Sequence, residues 1–219
     1  MSSHDLAILW DMDGTLIDTK ICHFQTWDQV FRNHGFSVDT KVYEANFGRN
    51  TQTILPIFLG FEPDPELMEQ LIEEKEKLFR AAAPAETSLV PGVESWLTTA
   101  HAKGIPQAIA SSGSLENIET MISLFNLNPY FDKLISGADL PAKPKPDVFI
   151  KAAEVLGCPP EHCLVIEDSL PGVQAAKNAG MPCIAVTTTE PHKNLSLADF
   201  VVDDFISPLE DVLLRLKLL

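Results

Sequence analysis

Short apolar segments alternate with amphipathic helical segments along most of this chain, and this alternation restricts the possible fold more than any other feature. The predicted strands cover residues 6–10, 105–111, 133–136, 163–168, 182–188 and 199–204. The predicted helices cover residues 90–104, 114–127, 146–157, 171–180 and 208–219. Strands joined through helices pair in parallel, and a parallel sheet is covered by helices on both faces. The sequence therefore predicts an α/β fold with a doubly wound, Rossmann-like parallel sheet.

One interval departs from this alternation. Between Asp11 and Ile105 lies far more chain than the roughly one to two dozen residues that a crossover connection needs. Apolar residues recur there at helical spacing in two stretches, Phe24, Trp27 and Phe31, then Leu67, Leu71, Leu78 and Phe79. The proline-containing stretch 55–65 is expected to be a loop or a broken helix. We predict a helical cap domain at 19–87, inserted into a core domain formed by 1–18 and 88–219.

Composition limits the classes of partner. The chain has 31 acidic and 16 basic residues and a net charge of −15, so repulsion disfavours nucleic acids and anionic membranes as partners. We expect no signal peptide, because the N-terminus has no basic start, and no later run is long enough to span a membrane. We expect a cytoplasmic monomer or weak homodimer. Its four cysteines form no CxxC pair and are expected to be reduced and packed as apolar groups.

Carboxylates follow the first apolar strand directly. The run LAILW is followed by DMDGT, which places Asp11 and Asp13 one residue apart. A buried strand does not carry charged groups into a core, so these acids must lie at its end. Ser111 and Asp168 also stand at strand ends, and Lys143 lies in a loop before a helix. Ligands of parallel α/β sheets bind at the carboxyl ends of the strands, so we expect these side chains to form one site.

Grouped carboxylates point to a metal ion. They repel one another unless a cation lies among them, and oxygen ligands of this kind suit Mg²⁺. Asp11 and Asp168, with the adjacent Glu167, are the expected ligands. A lysine such as Lys143 on the other side of a phosphoryl group would neutralise the charge that develops during its transfer. The pattern therefore favours phosphoryl transfer.

The segments DMDGT, AIASSG, AKPKPD and IED, with a helical insert after the first, resemble the motifs of the haloacid dehalogenase superfamily. The resemblance extends over essentially the whole chain. It implies that Asp11 is a nucleophile that becomes an aspartyl phosphate, and that Asp13 is the general acid and base. It also implies that Ser111 binds the phosphoryl group, helped by the backbone of Ser112 and Gly113.

The third and fourth motifs carry the lysine and further acids. By the same resemblance, Lys143 stabilises both the phosphoryl group and the nucleophile, and Lys145 is the competing candidate for this role. The resemblance implies a Mg²⁺ cofactor held by Asp11, Asp13, Glu167 and Asp168. In the first motif, Thr15 either donates to a phosphate oxygen or holds the turn that Gly14 permits.

The cap is expected to select the substrate. The segment after Thr19 resembles the beta-phosphoglucomutase branch, in which a histidine corresponding to His23 lies near the acid and base and links cap closure to catalysis. The candidate substrate-binding residues are Thr15, Thr19, His23, Arg49, Lys75, Ser112 and Gly113. Alternatives stay open: a place on the helix surface for His23, pairing with neighbouring glutamates for Lys75, and a place in the cap core for Trp27.

These observations favour a Mg²⁺-dependent phosphatase that hydrolyses small phosphorylated metabolites such as sugar phosphates. The first alternative is a beta-phosphoglucomutase, which interconverts beta-glucose 1-phosphate and glucose 6-phosphate, since the core motifs of the two are the same. The second is a binding or regulatory protein without catalysis. Asp13 disfavours a dehalogenase, which needs no acid for its leaving group. Phosphonate cleavage is disfavoured because no local feature lowers the pKa of a cap lysine, whether Lys20, Lys41, Lys75 or Lys77.

Overall fold

A computed structural model of the protein describes residues 6–218. The strands in this range are β1 Ala7–Trp10, β2 Ile17–Asp18, β3 Ser88–Leu89, β4 Gln107–Ser111, β5 Lys133–Ser136, β6 Cys163–Glu167, β7 Cys183–Val186 and β8 Phe200–Val202. The α-helices are α1 Lys20–Asn33, α2 Thr40–Glu44, α3 Thr51–Leu59, α4 Pro65–Glu86, α5 Val93–Ala102, α6 Leu115–Leu124, α7 Asp147–Leu156, α8 Leu170–Asn178 and α9 Leu209–Arg215.

Six of these strands form one parallel sheet in the order β5-β4-β1-β6-β7-β8. The central strand β1 pairs with β4 on one side and β6 on the other, so that Ile8 lies opposite both Gln107 and Leu164. The chain therefore builds the sheet outward from β1 in both directions. A sheet of this kind leaves a crevice at the carboxyl ends of its central strands, where ligands bind. The predicted doubly wound α/β fold is confirmed.

Both faces of the sheet are buried, which explains why the strands read as continuous apolar runs. In β1, Ile8 and Trp10 belong to a cluster with residues of α5, α6 and α9, whereas Ala7 and Leu9 belong to a cluster with residues of α7 and α8. None of these four side chains is accessible to solvent. A strand buried on both sides has no room for charge until it ends, so the first carboxylate of the chain's acidic motif stands just beyond β1.

A second sheet in the described residues is small, two-stranded and antiparallel. In it β2 pairs with β3, with Ile17 opposite Leu89 and Asp18 opposite Ser88. Helices α1 to α4 follow β2 and enclose a separate apolar cluster that includes Trp27, Phe31 and Phe58. The chain thus leaves the core through β2 and returns to it through β3, so the two ends of the predicted cap, 19–87, lie side by side. The division into core and cap at these positions stays a prediction.

The structure differs from the predicted elements mainly inside this helical segment. The stretch 55–65 was predicted to be a loop or a broken helix, but its first part belongs to α3, which contains Pro56 and ends at Gly60 with φ of 75°. Burial of three side chains of α3 compensates for the proline. The last predicted helix ends at Arg215 rather than continuing to the C-terminus. Residues 1–5 and 219, which the predictions include, lie outside the described residues.

The structure also bears on the cysteines and on the membrane-spanning helices that the sequence analysis considered. All four cysteines are buried, as expected for small apolar groups. Among the helices of residues 6–218, none combines the length and the apolar character that crossing a bilayer requires.

Candidate active site

The polar side chains at the ends of β1, β4 and β6 lie together at the carboxyl edge of the sheet. Asp11 directly follows β1, and its backbone N–H donates to the carbonyl of Ile166, 3.0 Å away in β6. Ser111 is the last residue of β4, and Glu167 the last of β6. All three residues are buried. The parallel register therefore brings residues distant in sequence into one enclosed polar group.

Lys143 reaches this group from the loop before α7. Its Nζ donates to Asp11 Oδ1 at 2.6 Å and to Glu167 Oε1 at 2.7 Å. Burial opposes the charged amine, but the two carboxylates outweigh it and raise the pKa of Lys143, so the lysine stays protonated. Lys145, the competing candidate, is exposed. The structure thus places Lys143, and not Lys145, beside the predicted nucleophile.

Three carboxylates crowd the same space. One oxygen each of Asp11, Glu167 and Asp168 lie within 4.8 Å of one another. Burial, Glu167 and Asp13 raise the pKa of Asp11 to about 8 despite the opposing Lys143. Burial, with Glu167 and Asp11 beside it, likewise raises the pKa of Asp168 well above its usual value. A divalent cation at this point would relieve the repulsion that raises both pKa values.

The oxygen atoms of this cluster differ in the hydrogen bonds that they accept. Asp168 accepts a hydrogen bond from Thr15 through Oδ1. Its buried Oδ2 forms no hydrogen bond of normal geometry among the described residues, although the Thr189 hydroxyl lies near enough to oppose the rise in the pKa of this carboxyl group. Glu167 is different, because its Oε2 accepts from the backbone of Asp168, the backbone of Ser169 and the Ser169 hydroxyl, at 2.8, 2.8 and 2.9 Å. Asp168 therefore has an oxygen atom that accepts no hydrogen bond of normal geometry, whereas both oxygens of Glu167 are bonded, one to Lys143 and the other to the turn after β6.

Replacing Gly172 by alanine is expected to lower both activity and the free energy of unfolding. A Cβ atom at Gly172 in α8 would lie 1.7 Å from Glu167 Oε1, so the carboxylate that holds Lys143 would have to move. Overpacking of this kind costs roughly 1–3 kcal/mol. Urea unfolding and phosphate release measure the two effects, with Gln174→Ala in the same helix as control. Unchanged values for Gly172→Ala would contradict this account of Glu167.

Asp13 faces away from the acidic cluster, toward the first helix of the cap segment. Its Oδ1 accepts the Thr19 hydroxyl at 2.7 Å and lies 3.2 Å from His23 Nε2. Thr19 precedes α1 and His23 follows one turn later, so both lie on the same face of the helix. The His23 ring stacks on Phe79 of α4, with centroids 4.0 Å apart. The structure thus connects the predicted acid and base to the cap through two predicted side chains.

The charges of this pair follow from their surroundings. Burial opposes ionisation of Asp13, but the bonds from His23 and Thr19 outweigh it and lower the pKa of the carboxyl group. Burial and the positive charge of Lys75 lower the pKa of His23, so the imidazole is neutral at neutral pH. An ionised carboxylate can only accept hydrogen bonds, and His23 therefore carries its proton on Nε2. Without substrate, Asp13 is a base.

A cavity extends from Asp11 and Asp13 to the cap. Its wall includes five of the predicted binding residues, His23, Arg49, Lys75, Ser112 and Gly113. The predicted residues Thr15, Thr19 and Ser111 are not on this wall, and neither are Lys143, Glu167 and Asp168. The Thr15 hydroxyl donates to Asp168, the Thr19 hydroxyl donates to Asp13, and Ser111 Oγ accepts from the backbone N–H of Gly113. Trp27 lies in the cap's apolar cluster and also borders the cavity.

The cavity wall also contains polar residues that the sequence did not indicate. Glu76 of α4 accepts hydrogen bonds from Lys75 at 3.0 Å, from Thr51 at 3.3 Å, and from the side-chain amide of Asn117 in α6. Lys75 was open to two interpretations, and the structure shows it paired with Glu76 and on the cavity wall. A signal was present, because Lys75 shares the four-residue spacing of three buried residues, Leu71, Phe79 and Ala83.

Known proteins of similar sequence and structure include a phosphatase and the protein CbbY. Fructose-1-phosphate phosphatase YqaB from Escherichia coli is 28% identical over 184 residues, which cover 82% of this chain and 95% of that protein. CbbY from Rhodobacter sphaeroides, solved in complex with phosphate, superposes with a TM-score of 0.83 at 31% identity, covering 92% of this chain and 95% of its own. A variant of CbbY has also been solved with xylulose-(1,5)bisphosphate.

A second solved structure shows the likeness in fold. Beta-phosphoglucomutase from Clostridium difficile superposes with a TM-score of 0.85 at 24% identity, covering 97% of this chain and 96% of its own. The sequence profile described as haloacid dehalogenase-like hydrolase matches residues 8–186. With the strand-end carboxylates, the buried lysine and the capped cavity in place, this protein is an enzyme that belongs to the haloacid dehalogenase-like hydrolase family.

Proposed function

We propose that this enzyme is a Mg²⁺-dependent phosphatase that hydrolyses small phosphorylated sugars or polyols through an aspartyl phosphate on Asp11. One observation carries the proposal: Asp11, paired with Lys143, and Asp13, held by Thr19 and His23, face the same cavity. A nucleophile and a proton-transferring group on one cavity wall are what cleavage of a phosphoester requires. The phosphatase YqaB and the phosphate complex of CbbY support this reaction class.

The residues present fit a magnesium ion. Asp11 and Asp168 would hold it, since Asp168 has a buried oxygen that accepts no hydrogen bond of normal geometry among the described residues and both carboxyl groups have raised pKa values. The Asp13 carboxylate points to Thr19 and His23, so we assign it to proton transfer and not to the metal. When bound, Mg²⁺ would shield the Asp11 carboxylate from the phosphoryl oxygens and neutralise charge in the transition state.

In the first half of the proposed reaction, an Asp11 oxygen attacks phosphorus and the bond from phosphorus to the ester oxygen breaks. Lys143, already hydrogen-bonded to Asp11, positions this carboxylate and places positive charge beside the phosphoryl group. Asp13 gives a proton to the departing alcohol oxygen. It is ionised in the empty site, so it takes up this proton from solvent when the negative phosphoryl group enters and raises its pKa. The proton that it later accepts from water returns to solvent when phosphate leaves.

In the second half, Asp13 is a carboxylate again and accepts a proton from a water molecule that attacks phosphorus. The bond between phosphorus and Asp11 breaks, which regenerates the free carboxylate and releases inorganic phosphate. The sum is one phosphomonoester and one water converted into one alcohol and one phosphate. Thr19 and His23 keep Asp13 in the same orientation for both proton transfers.

A mutase is the second candidate, because a sugar hydroxyl could replace water in the second half of the reaction. It is favoured by the enclosure of the site, since Glu76 and Arg80 of α4 bond to Asn117 of α6 and hold the cap on the core. A mutase must also hold a second phosphoryl group in the cap. The pairing of Lys75 with Glu76 reduces the positive charge available for this purpose, so we place hydrolysis first.

Parallel assays with Mg²⁺ separate the candidates. A panel of sugar and polyol monophosphates is scored for free phosphate, and beta-glucose 1-phosphate with a trace of the 1,6-bisphosphate is scored for glucose 6-phosphate. We expect free phosphate to dominate. Isomer without phosphate release would establish the mutase instead, and binding of the sugar phosphates without turnover would support the non-catalytic alternative.

Mg²⁺ is expected to raise the midpoint of thermal unfolding of the wild-type protein and to leave that of Asp168→Asn nearly unchanged. A ligand present at about one hundred times its dissociation constant stabilises by about 2.7 kcal/mol, and the substitution removes the buried oxygen that would bind the ion. The control is Asp211→Asn on the exposed surface of α9, which should respond to Mg²⁺ as the wild type does. An equal shift in all three proteins would exclude Asp168 as a ligand.

A further inference from the structure

Glu76 places a buried negative charge on the wall of the substrate cavity, at the end formed by the cap. Its side chain is 14% exposed, and it accepts hydrogen bonds from Lys75, Thr51 and Asn117. Burial opposes ionisation, but the positive charge of Lys75 and the bond from Asn117 outweigh it and lower the pKa of Glu76. Glu76 is therefore a carboxylate at neutral pH, with Thr51 and Asn117 beside it on the same wall.

The carboxylate of Glu76 reduces the net positive charge of the cap residues that line the cavity. Lys75 is 3% exposed, its Nζ lies 3.0 Å from Glu76 Oε1, and it sits over the rings of Trp27 and Phe79. The charge of Lys75 is thus largely compensated within the protein. Of the residues lining the cavity, Arg49 is the cation with no carboxylate partner in residues 6–218, and its buried Nε has no hydrogen-bond acceptor there.

The guanidinium group of Arg49 and the carboxylate of Glu76 lie on the same wall and favour opposite charges in the part of the substrate beyond the phosphoryl group. A second phosphate would meet only the single free charge of Arg49, because Glu76 already neutralises Lys75. An ammonium group would find no free carboxylate and would be repelled by Arg49. Hydroxyl groups can bind to both side chains, because a hydroxyl donates a hydrogen bond to the carboxylate and accepts one from the guanidinium. A neutral, hydroxyl-rich group is therefore the complementary one.

We propose that Glu76 is a specificity residue that selects substrates with one phosphoryl group and a neutral polyhydroxyl remainder, and that it excludes bisphosphates. This inference deepens the proposed function and rests on it for the position of the reacting phosphoryl group. Replacing Glu76 by glutamine removes the charge that neutralises Lys75, so Arg49 and Lys75 would both be free to bind an anion. The variant should therefore gain affinity for bisphosphates as it loses affinity for monophosphates.

Binding and turnover are measured separately, so that the selectivity of Glu76 and the phosphatase activity are tested independently of each other. Dissociation constants of fructose 1-phosphate, fructose 6-phosphate and fructose 1,6-bisphosphate are measured by calorimetry with Mg²⁺ on Asp11→Asn, with and without Glu76→Gln. With Glu76 intact, we expect the tighter-binding of the two monophosphates to bind more tightly than the bisphosphate. Glu76→Gln should shift the ratio of these two dissociation constants by roughly tenfold or more in favour of the bisphosphate. Turnover of p-nitrophenyl phosphate by the wild type, with Glu76 intact, tests the phosphatase activity alone.

The control variant tests whether Glu76 acts only by holding the cap on the core. Arg80 donates to Asn117 at 3.0 Å and pairs with Glu116, but it does not line the cavity. Arg80→Met should therefore leave the ratio of the two affinities unchanged. The proposal is overturned if the bisphosphate binds as tightly as either monophosphate, if neither monophosphate binds, if Glu76→Gln leaves the ratio unchanged, or if Arg80→Met shifts it equally. Failure to hydrolyse p-nitrophenyl phosphate would count against the phosphatase, not against this selectivity.

Discussion

Replacement of Asp11 by asparagine is expected to reduce turnover roughly 10⁴-fold or more while the protein stays folded. The amide has nearly the volume of the carboxylate but cannot attack phosphorus. Lys143 keeps its hydrogen bond to Glu167 at 2.7 Å, so the amine is not left without a partner. The substitution also removes one of three crowded carboxylates, and we therefore expect the midpoint of thermal unfolding to stay the same or to rise.

Kinetics of phosphate release and a thermal melt measure the two effects. Asp18→Asn is the matched control, because Asp18 is exposed and lies near Asp11 in the sequence without belonging to the site. This control should retain wild-type activity. Turnover by Asp11→Asn within tenfold of the wild type would rule out the covalent mechanism, and a collapse of its melting transition would show that Asp11 is needed for folding.

Replacement of Asp13 by asparagine is expected to reduce steady-state turnover by roughly 10²–10⁴-fold, the usual contribution of general acid and base catalysis. The effect should depend on the leaving group. With p-nitrophenyl phosphate the leaving group needs no proton, so phosphoryl transfer to Asp11 should still occur. Hydrolysis of the aspartyl phosphate then lacks its base, and the expected time course is a burst of p-nitrophenol close to one equivalent followed by a slow phase.

The burst separates a role in proton transfer from a role in structure. Asp13 is bonded to Thr19 and His23, and a variant that merely displaced the cap would lose the burst as well as the steady rate. Asp18→Asn again serves as the control and should show a wild-type steady rate. Equal activity of Asp13→Asn and wild type on sugar phosphates would contradict the assignment of Asp13.

The core of this protein could be predicted from its sequence because its signals are local and repeated. Apolar strands alternate with helices, and Asp11, Ser111 and Asp168 each stand where a strand ends. The parallel arrangement then brings those ends together without further information. The choice between Lys143 and Lys145 could not be made in this way, because it depends on the path of the loop before α7 and on which amine reaches two buried carboxylates.

The wall of the cavity was harder to predict because its residues meet only after the cap packs on the core. Glu76 lies in a run of alternating charges that is typical of a solvated helix face, and Asn117 lies in the first turn of α6, where a structural role is usual. Their contact joins two residues that lie 41 positions apart in the sequence, on different helices. Thr15 shows the opposite case, since it lies in a strong motif but bonds to Asp168 away from the cavity.

The most direct test of the central claim is to trap the phosphorylated enzyme. Wild-type protein with Mg²⁺ is mixed with a substrate carrying a radioactive phosphoryl group, quenched in acid within one turnover, and digested for peptide mapping. The account predicts label on the peptide that contains Asp11, its release by hydroxylamine, and no label in Asp11→Asn. Formation of product within that time without any phosphate bound to protein, or label on a different residue, would contradict it.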